Sequence, residues 1–230
     1  MILGHRLSEL CGHGPSLETD IALTNISLDL YGQTRTYFQY AATIKGEDAT
    51  EDSIAFLRYS NEYRSSLLVE QPNEDFAYVI GRQFLFDSYH LLLLEKLVDS
   101  NDENIAAIAR KSIKEVRYHL RFSSEWVKRL GDGTQESHDK MQKAIDYLLA
   151  YAGELTTPVE VEKEAAKTGY GFDPEQLKEI YWQNVKETLA EATLSIPEID
   201  WSHSGGKSGI HSEHFGYILA DLQYMQRAYP

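Results

Sequence analysis

The sequence predicts an all-α fold. Six prolines are few for 230 residues, and none interrupts the long periodic segments. Along those segments apolar residues recur at three and four, the helical period. No pair of runs shows the alternation a β-hairpin needs, and there is no fixed-period repeat or low-complexity tract.

A first helix is expected over roughly Ile2 to Leu10, closed by Gly12 and Gly14. A second follows Pro15, with Ser16 as N-cap, and runs to about Ile44 before Gly46. Ala22, Ile26, Tyr37 and Tyr40 form its stripe, which also takes in Asp29, Leu30 and Gln33. A third spans roughly Glu51 to Tyr63, with Ile54, Phe56 and Leu57 toward the core. "VEQPNED" reads as a connection whose Asn73 caps a fourth helix reaching about Val98. Ile80, Phe84, Asp87, Leu91 and Leu94 share one face of it, with a carboxylate in the middle. The fifth runs from near Asp102 to Gly131 on a stripe of Ile105, Ala109, Ser112, Val116, His119, Ser123 and Trp126. "GDGT" is a turn, and a sixth helix covers about His138 to Leu155. The stretch from Thr156 to Gly171 reads as a surface excursion with room for a short helix. Asp173-Pro174 then opens a helix to about Leu194, "SIPEIDWSHSGGKSG" is a loop, and a last helix covers His211 to Ala228. One domain is expected over 1–230: a compact bundle carrying additional C-terminal helices.

The formal charge of -14 argues against nucleic acid or an anionic membrane as the main partner. A single cysteine, Cys11, rules out an intrachain disulfide and fits a reducing cytoplasm. No secretory signal is read in "MILGHRLSELCG", and no run reaches the roughly 18 apolar residues of a membrane span.

Gln33, Asp87 and His119 are polar residues on core-facing stripes of three different helices. They read either as a metal or acid–base site or as a hydrogen-bonded core network, with Asp87 joined to His119 or His90. Di-iron bundles use Glu-x-x-His pairs. Three residues before His119 stands Val116, and no Glu-x-x-His occurs anywhere in the chain. Glu115 and His119 are four apart, Asp87-x-x-His90 is the nearest pattern on a helix, and Asp200-x-x-His203 falls in a loop. "HSGGKSG" lacks the first glycine of a phosphate-binding loop, since Trp201 stands there. Its backbone amides and Lys207 can still meet an anion such as a CoA phosphate, against the reading of a plain flexible loop. His211 and His214 are candidates for metal or for packing the last helix, and Cys11 beside His13 lacks a third catalytic member. The 15 tyrosines suit a core or a wet interface.

Four stretches, "CGHGPSLETDIALTNISLDLYGQTR", "LLVEQPNEDFAYVIGRQFLFDSYH", "IKEVRYHLRFSSEWVKRLGDGT" and "GGKSGIHSEHFGYILADLQYMQR", are similar to the PaaC family, the structural subunits of phenylacetyl-CoA 1,2-epoxidase. That enzyme is a multicomponent bacterial monooxygenase of aerobic phenylacetate catabolism, and the resemblance covers nearly the whole chain. It implies a ferritin-like bundle and a non-catalytic, structural subunit. The di-iron centre is then expected in a partner catalytic subunit, with electrons from an NADPH-dependent flavin and iron–sulfur reductase and no cofactor in this chain. Compared with the catalytic relative, Leu30 and Val116 stand where ligand glutamates are expected, and Gln33 stands for a histidine. Asp87 and His119 are retained. The resemblance thus implies a vestigial site, tight association with the catalytic subunit, indirect contact with further epoxidase subunits, and room for a homodimer.

Overall fold

The computed structural model describes residues 1–197 and 201–229. Among these the chain is all-α, with no strand, as the periodicity predicts and consistent with a ferritin-like helical bundle. By their contacts the residues form two compact units, Met1–Pro72 with Gly205–Pro230, and Asn73–Ser204.

The first unit holds α1 (Ile2–Ser8), α2 (Leu17–Lys45), α3 (Glu51–Phe56) and α4 (Leu67–Glu70), with the C-terminal helix α10 (Phe215–Ala228). Ser16 caps α2 as expected, its hydroxyl accepting from the Thr19 amide at 3.3 Å. α1 packs on α2 and α4, and α3 packs on α2 and α10. The third helix stops at Phe56, earlier than the sequence suggests, and the chain continues through a 3-10 turn at Ser60–Glu62. The Tyr63 hydroxyl then donates back to the Ala55 carbonyl at 2.7 Å, folding the segment across the end of α3. α4 lies partly within the stretch read as a connection, and all four of its residues are buried.

The second unit holds α5 (Phe76–Leu97), α6 (Glu103–Gly131), α7 (Gln135–Ala152), α8 (Glu160–Thr168) and α9 (Lys178–Glu191). α5 and α6 form the most extensive pair, and both α7 and α9 pack against the two of them. Most of each expected stripe is buried, Ile80, Phe84, Asp87 and Leu94 on α5 and Ala109, Ser112, Val116, His119 and Ser123 on α6, while Leu91, Ile105 and Trp126 are half-buried. α5 is capped by Asp75, whose carboxylate accepts from the Tyr78 amide at 3.0 Å. Asn73, the expected cap, instead accepts from Arg82 Nη2 at 2.6 Å. Asp102 caps α6 as read from the sequence, and Asp173 caps a 3-10 turn at Pro174–Leu177 that leads into α9. The surface excursion does contain a helix, α8, whose end is tied to the α5–α6 connection by Asn101.

A buried polar core at the candidate site

Asp87 has no exposed surface. Its Oδ1 accepts from Gln83 Nε2 at 2.7 Å, one turn earlier on α5, and Ser123 Oγ on α6 donates to its Oδ2 at 2.9 Å. Ser123 Oγ also lies 3.0 Å from the His119 carbonyl oxygen. A hydroxyl carries one proton, so it is shared between the two oxygens unless Asp87 brings a proton of its own. Burial acts in that direction: it pushes the carboxyl well above the usual range, against the opposing hydrogen bonds from Ser123 and Gln83. His90, with its Nδ1 shut off from solvent, is lowered to about 3 by burial first and then by neighbouring His119. The environment therefore favours uncharged groups. A metal-binding carboxylate has to lose its proton instead.

The structure brings Asp87, Val116 and His119 onto the facing helices of one unit, all at 0% exposure. Leu30 and Gln33 are buried on α2 of the other unit. Glu115, the apparent partner of His119 by spacing, is half-buried at the edge of the α6 stripe. The partners of Asp87 correct the expected pairing with His119 or His90. Ser123 is visible in the sequence on the α6 stripe, whereas Gln83 is not singled out there; its position one turn before Asp87 is the only signal it leaves. Among the described residues no three His, Cys, Asp or Glu side chains gather so as to hold a metal ion. Within this unit the residues present do not fit a metal centre: Val116 offers no donor, and Asp87 is taken up by hydrogen bonds with Gln83 and Ser123.

The other candidates settle into local structure. In the "GGKSG" segment the amides of Ser208, Gly209 and Ile210 donate to the carbonyls of Gly205 and Gly206, leaving three fewer donors for an anion. Lys207 sits half-buried in that 3-10 turn. His13 Nδ1 contacts the Cys11 carbonyl oxygen at 3.2 Å rather than the thiol. Asp200 lies outside the described residues. His203 stacks on Tyr151 with centroids 4.3 Å apart.

His211 has a role the sequence does not reveal. Its Nδ1 is 2.7 Å from the Glu70 carboxylate and its Nε2 is 3.2 Å from the Tyr63 carbonyl oxygen. Its ring also stacks on Phe215, which is the packing role considered for it. Glu70 is fully buried and further accepts from the Ser212 amide at 2.8 Å and from Ser65 Oγ at 2.7 Å. Burial opposes its charge, but the bonds from His211, Ser212 and Ser65 together outweigh that and hold its carboxyl below the usual range.

An all-α, ferritin-like chain whose buried polar core is closed by Gln83, Asp87 and Ser123 defines a bundle protein with no assembled di-iron ligand set among the described residues. The chain belongs to the phenylacetic acid catabolic protein family, whose profile matches residues 1–230. It is 45% identical over 230 residues to a 1,2-phenylacetyl-CoA epoxidase subunit of Escherichia coli strain K12, covering 100% of this chain and 92% of that protein. Among the described residues no helix is long and apolar enough to cross a membrane.

Proposed function

We propose that this chain is a non-catalytic, structural subunit of a multicomponent di-iron monooxygenase that epoxidises phenylacetyl-CoA in the cytoplasm during aerobic phenylacetate breakdown. It binds and supports a catalytic subunit, which holds the iron and is reduced through an NADPH-dependent flavin and iron–sulfur reductase. The full-length likeness to a protein named as a subunit of that epoxidase supports the assignment. The observation that carries the structural role is Val116, wholly buried one helical turn from His119 while Asp87 is bonded to Gln83 and Ser123. A position expected to supply a ligand carboxylate supplies packing instead.

The test is reconstitution. The chain and the catalytic subunit, purified separately, are expected to co-elute when mixed. Turnover of phenylacetyl-CoA with the reductase should need both. Turnover by this chain without the catalytic subunit, or failure of the two to associate, would overturn the reading.

A further inference from the structure

A cleft of about 530 Å³ opens in the first unit between α1, α2 and α3. That volume is in the range of small-molecule sites. His5 of α1 lines it. The His5 Nδ1 is 2.7 Å from the Tyr31 hydroxyl of α2, that hydroxyl is 3.1 Å from Ser8 Oγ, and Ser8 Oγ is 2.9 Å from Ser27 Oγ.

The protons along this chain can run in one direction. Ser27 donates to the Gly4 carbonyl at 2.7 Å. Ser8 therefore donates to Ser27 or to the same carbonyl at 3.1 Å. Donation from Ser8 to Tyr31 would instead leave both of those oxygen pairs with no proton between them. Tyr31 thus donates to Ser8 and accepts from His5 Nδ1–H. Burial above all lowers the His5 ring to about 4, so at neutral pH it carries that one proton and Nε2 is a bare acceptor. Among the described residues nothing donates to Nε2. The His5 and Tyr31 rings also meet edge to face, with centroids 4.9 Å apart, which holds the imidazole in place.

The rest of the lining selects by charge and shape. The Thr34 hydroxyl accepts from the Met1 amine at 2.9 Å, and burial lowers that amine to about 6. At pH 8 the charged groups of the lining are then Glu51, Asp52 and Arg35, two acids against one base. Arg35 and Gln39 both donate to Glu51 Oε1, at 3.3 and 3.0 Å, which leaves the excess negative charge at Asp52. Phe38 and Phe56, both half-buried, supply aromatic walls beside Tyr31. Aromatic faces attract a cation. A carboxylate would meet a bare acceptor and a net negative charge, and both repel it.

We propose that this cleft binds a small aromatic amine, its ammonium donating to His5 Nε2 and its ring lying against Phe38 and Phe56. Calorimetric titration of the full chain at pH 8 with benzylamine, benzyl alcohol and benzoate tests this, since the three probes share a ring and differ in charge. Benzylamine is expected to bind saturably at one site, benzyl alcohol about tenfold more weakly, and benzoate not at all. Gly32 also lines the cleft, and nothing lies within 4 Å of where its Cβ would stand. Gly32→Leu should therefore fold normally and abolish binding by filling the space. His5→Phe keeps a ring and removes the acceptor, and should weaken benzylamine by about tenfold. Long-range proton–nitrogen spectra of the imidazole should show Nε2 unprotonated. Benzoate binding as tightly as benzylamine, no saturable binding of benzylamine, or binding unchanged in both folded variants would overturn the proposal. A proton found on Nε2 would do the same, because the acceptor on which the site depends would be gone.

Discussion

Asp87 shows how a polar residue is kept in an apolar core. Both of its oxygens have partners and its burial favours the neutral acid. Asp87→Asn is therefore expected to cost less than about 1 kcal/mol, because an amide can accept from Gln83 and donate toward α6. Asp87→Ala strands the buried Gln83 amide beside a void, and should cost about 2–4 kcal/mol in urea unfolding. Equal losses in the two variants would mean that Asp87 works as a carboxylate. His90 gives a pH signature. The unfolded chain takes up a proton near 6.5, whereas the folded ring resists until about 3. The unfolded state thus binds more protons between these values, and stability should fall as pH drops from 6.5 toward 3. His90→Phe, beside Phe86 at 5.1 Å, should flatten that slope. A slope unchanged in the variant would remove His90 as its source. At this scale the sequence makes Asp87, Val116 and His119 visible because helical spacing puts them on buried stripes. It does not reveal the Glu70–His211 pair, whose members are 141 residues apart with no pattern to join them.

At the scale of elements, helix boundaries are legible where a cap acts locally and obscure where tertiary bonds compete. Ser16 and Asp102 cap as read. Asn73 is lost as a cap because Arg82 uses its side chain. The last helix begins at Phe215 rather than His211 because His211 and the Ser212 amide are held on Glu70. The end of α6 is another such junction. Thr193, just past α9, sits at φ 59 and donates to the Gly131 carbonyl at 3.1 Å, while His138 Nε2 of α7 lies 3.2 Å from the Thr193 carbonyl oxygen. A Cβ on Gly131 would collide with the Ala192 carbonyl oxygen, so Gly131→Ala should destabilise by at least about 1–3 kcal/mol. Gly32, inside α2 with open space around it, provides the contrast. Gly32→Ala should stabilise by about 0.5–1 kcal/mol. Thermal unfolding of both variants checks the pair, and like-signed shifts would refute the account of Gly131.

At the scale of the whole molecule, the chain leaves the first unit at Pro72 and returns to it at Gly205. Within that unit, Glu70 holds the returning segment through His211 and Ser212. His211→Ala leaves the buried carboxylate short of a partner and should cost about 3 kcal/mol. Because the Glu70 carboxyl lies below its ordinary value, its contribution is present above about pH 4.5 and lost as pH falls further. Denaturant unfolding of His211→Ala at neutral and acid pH should therefore show a penalty that shrinks in acid. We propose that the 230 residues unfold as one domain, since the first unit closes only once the intervening segment has brought its two parts together. The all-α class is legible from period and proline placement. The division into two units is not, because spacing reports which face is buried and not what buries it.

We propose that this chain carries the remains of a metal site and not a working one. The most direct test is iron measured by mass spectrometry on the purified chain after growth in iron-supplemented medium. The account predicts well under one iron per chain, with Asp87→Asn leaving that value unchanged. Near two irons per chain, lost in Asp87→Asn, would contradict it and make the chain an oxygenase in its own right.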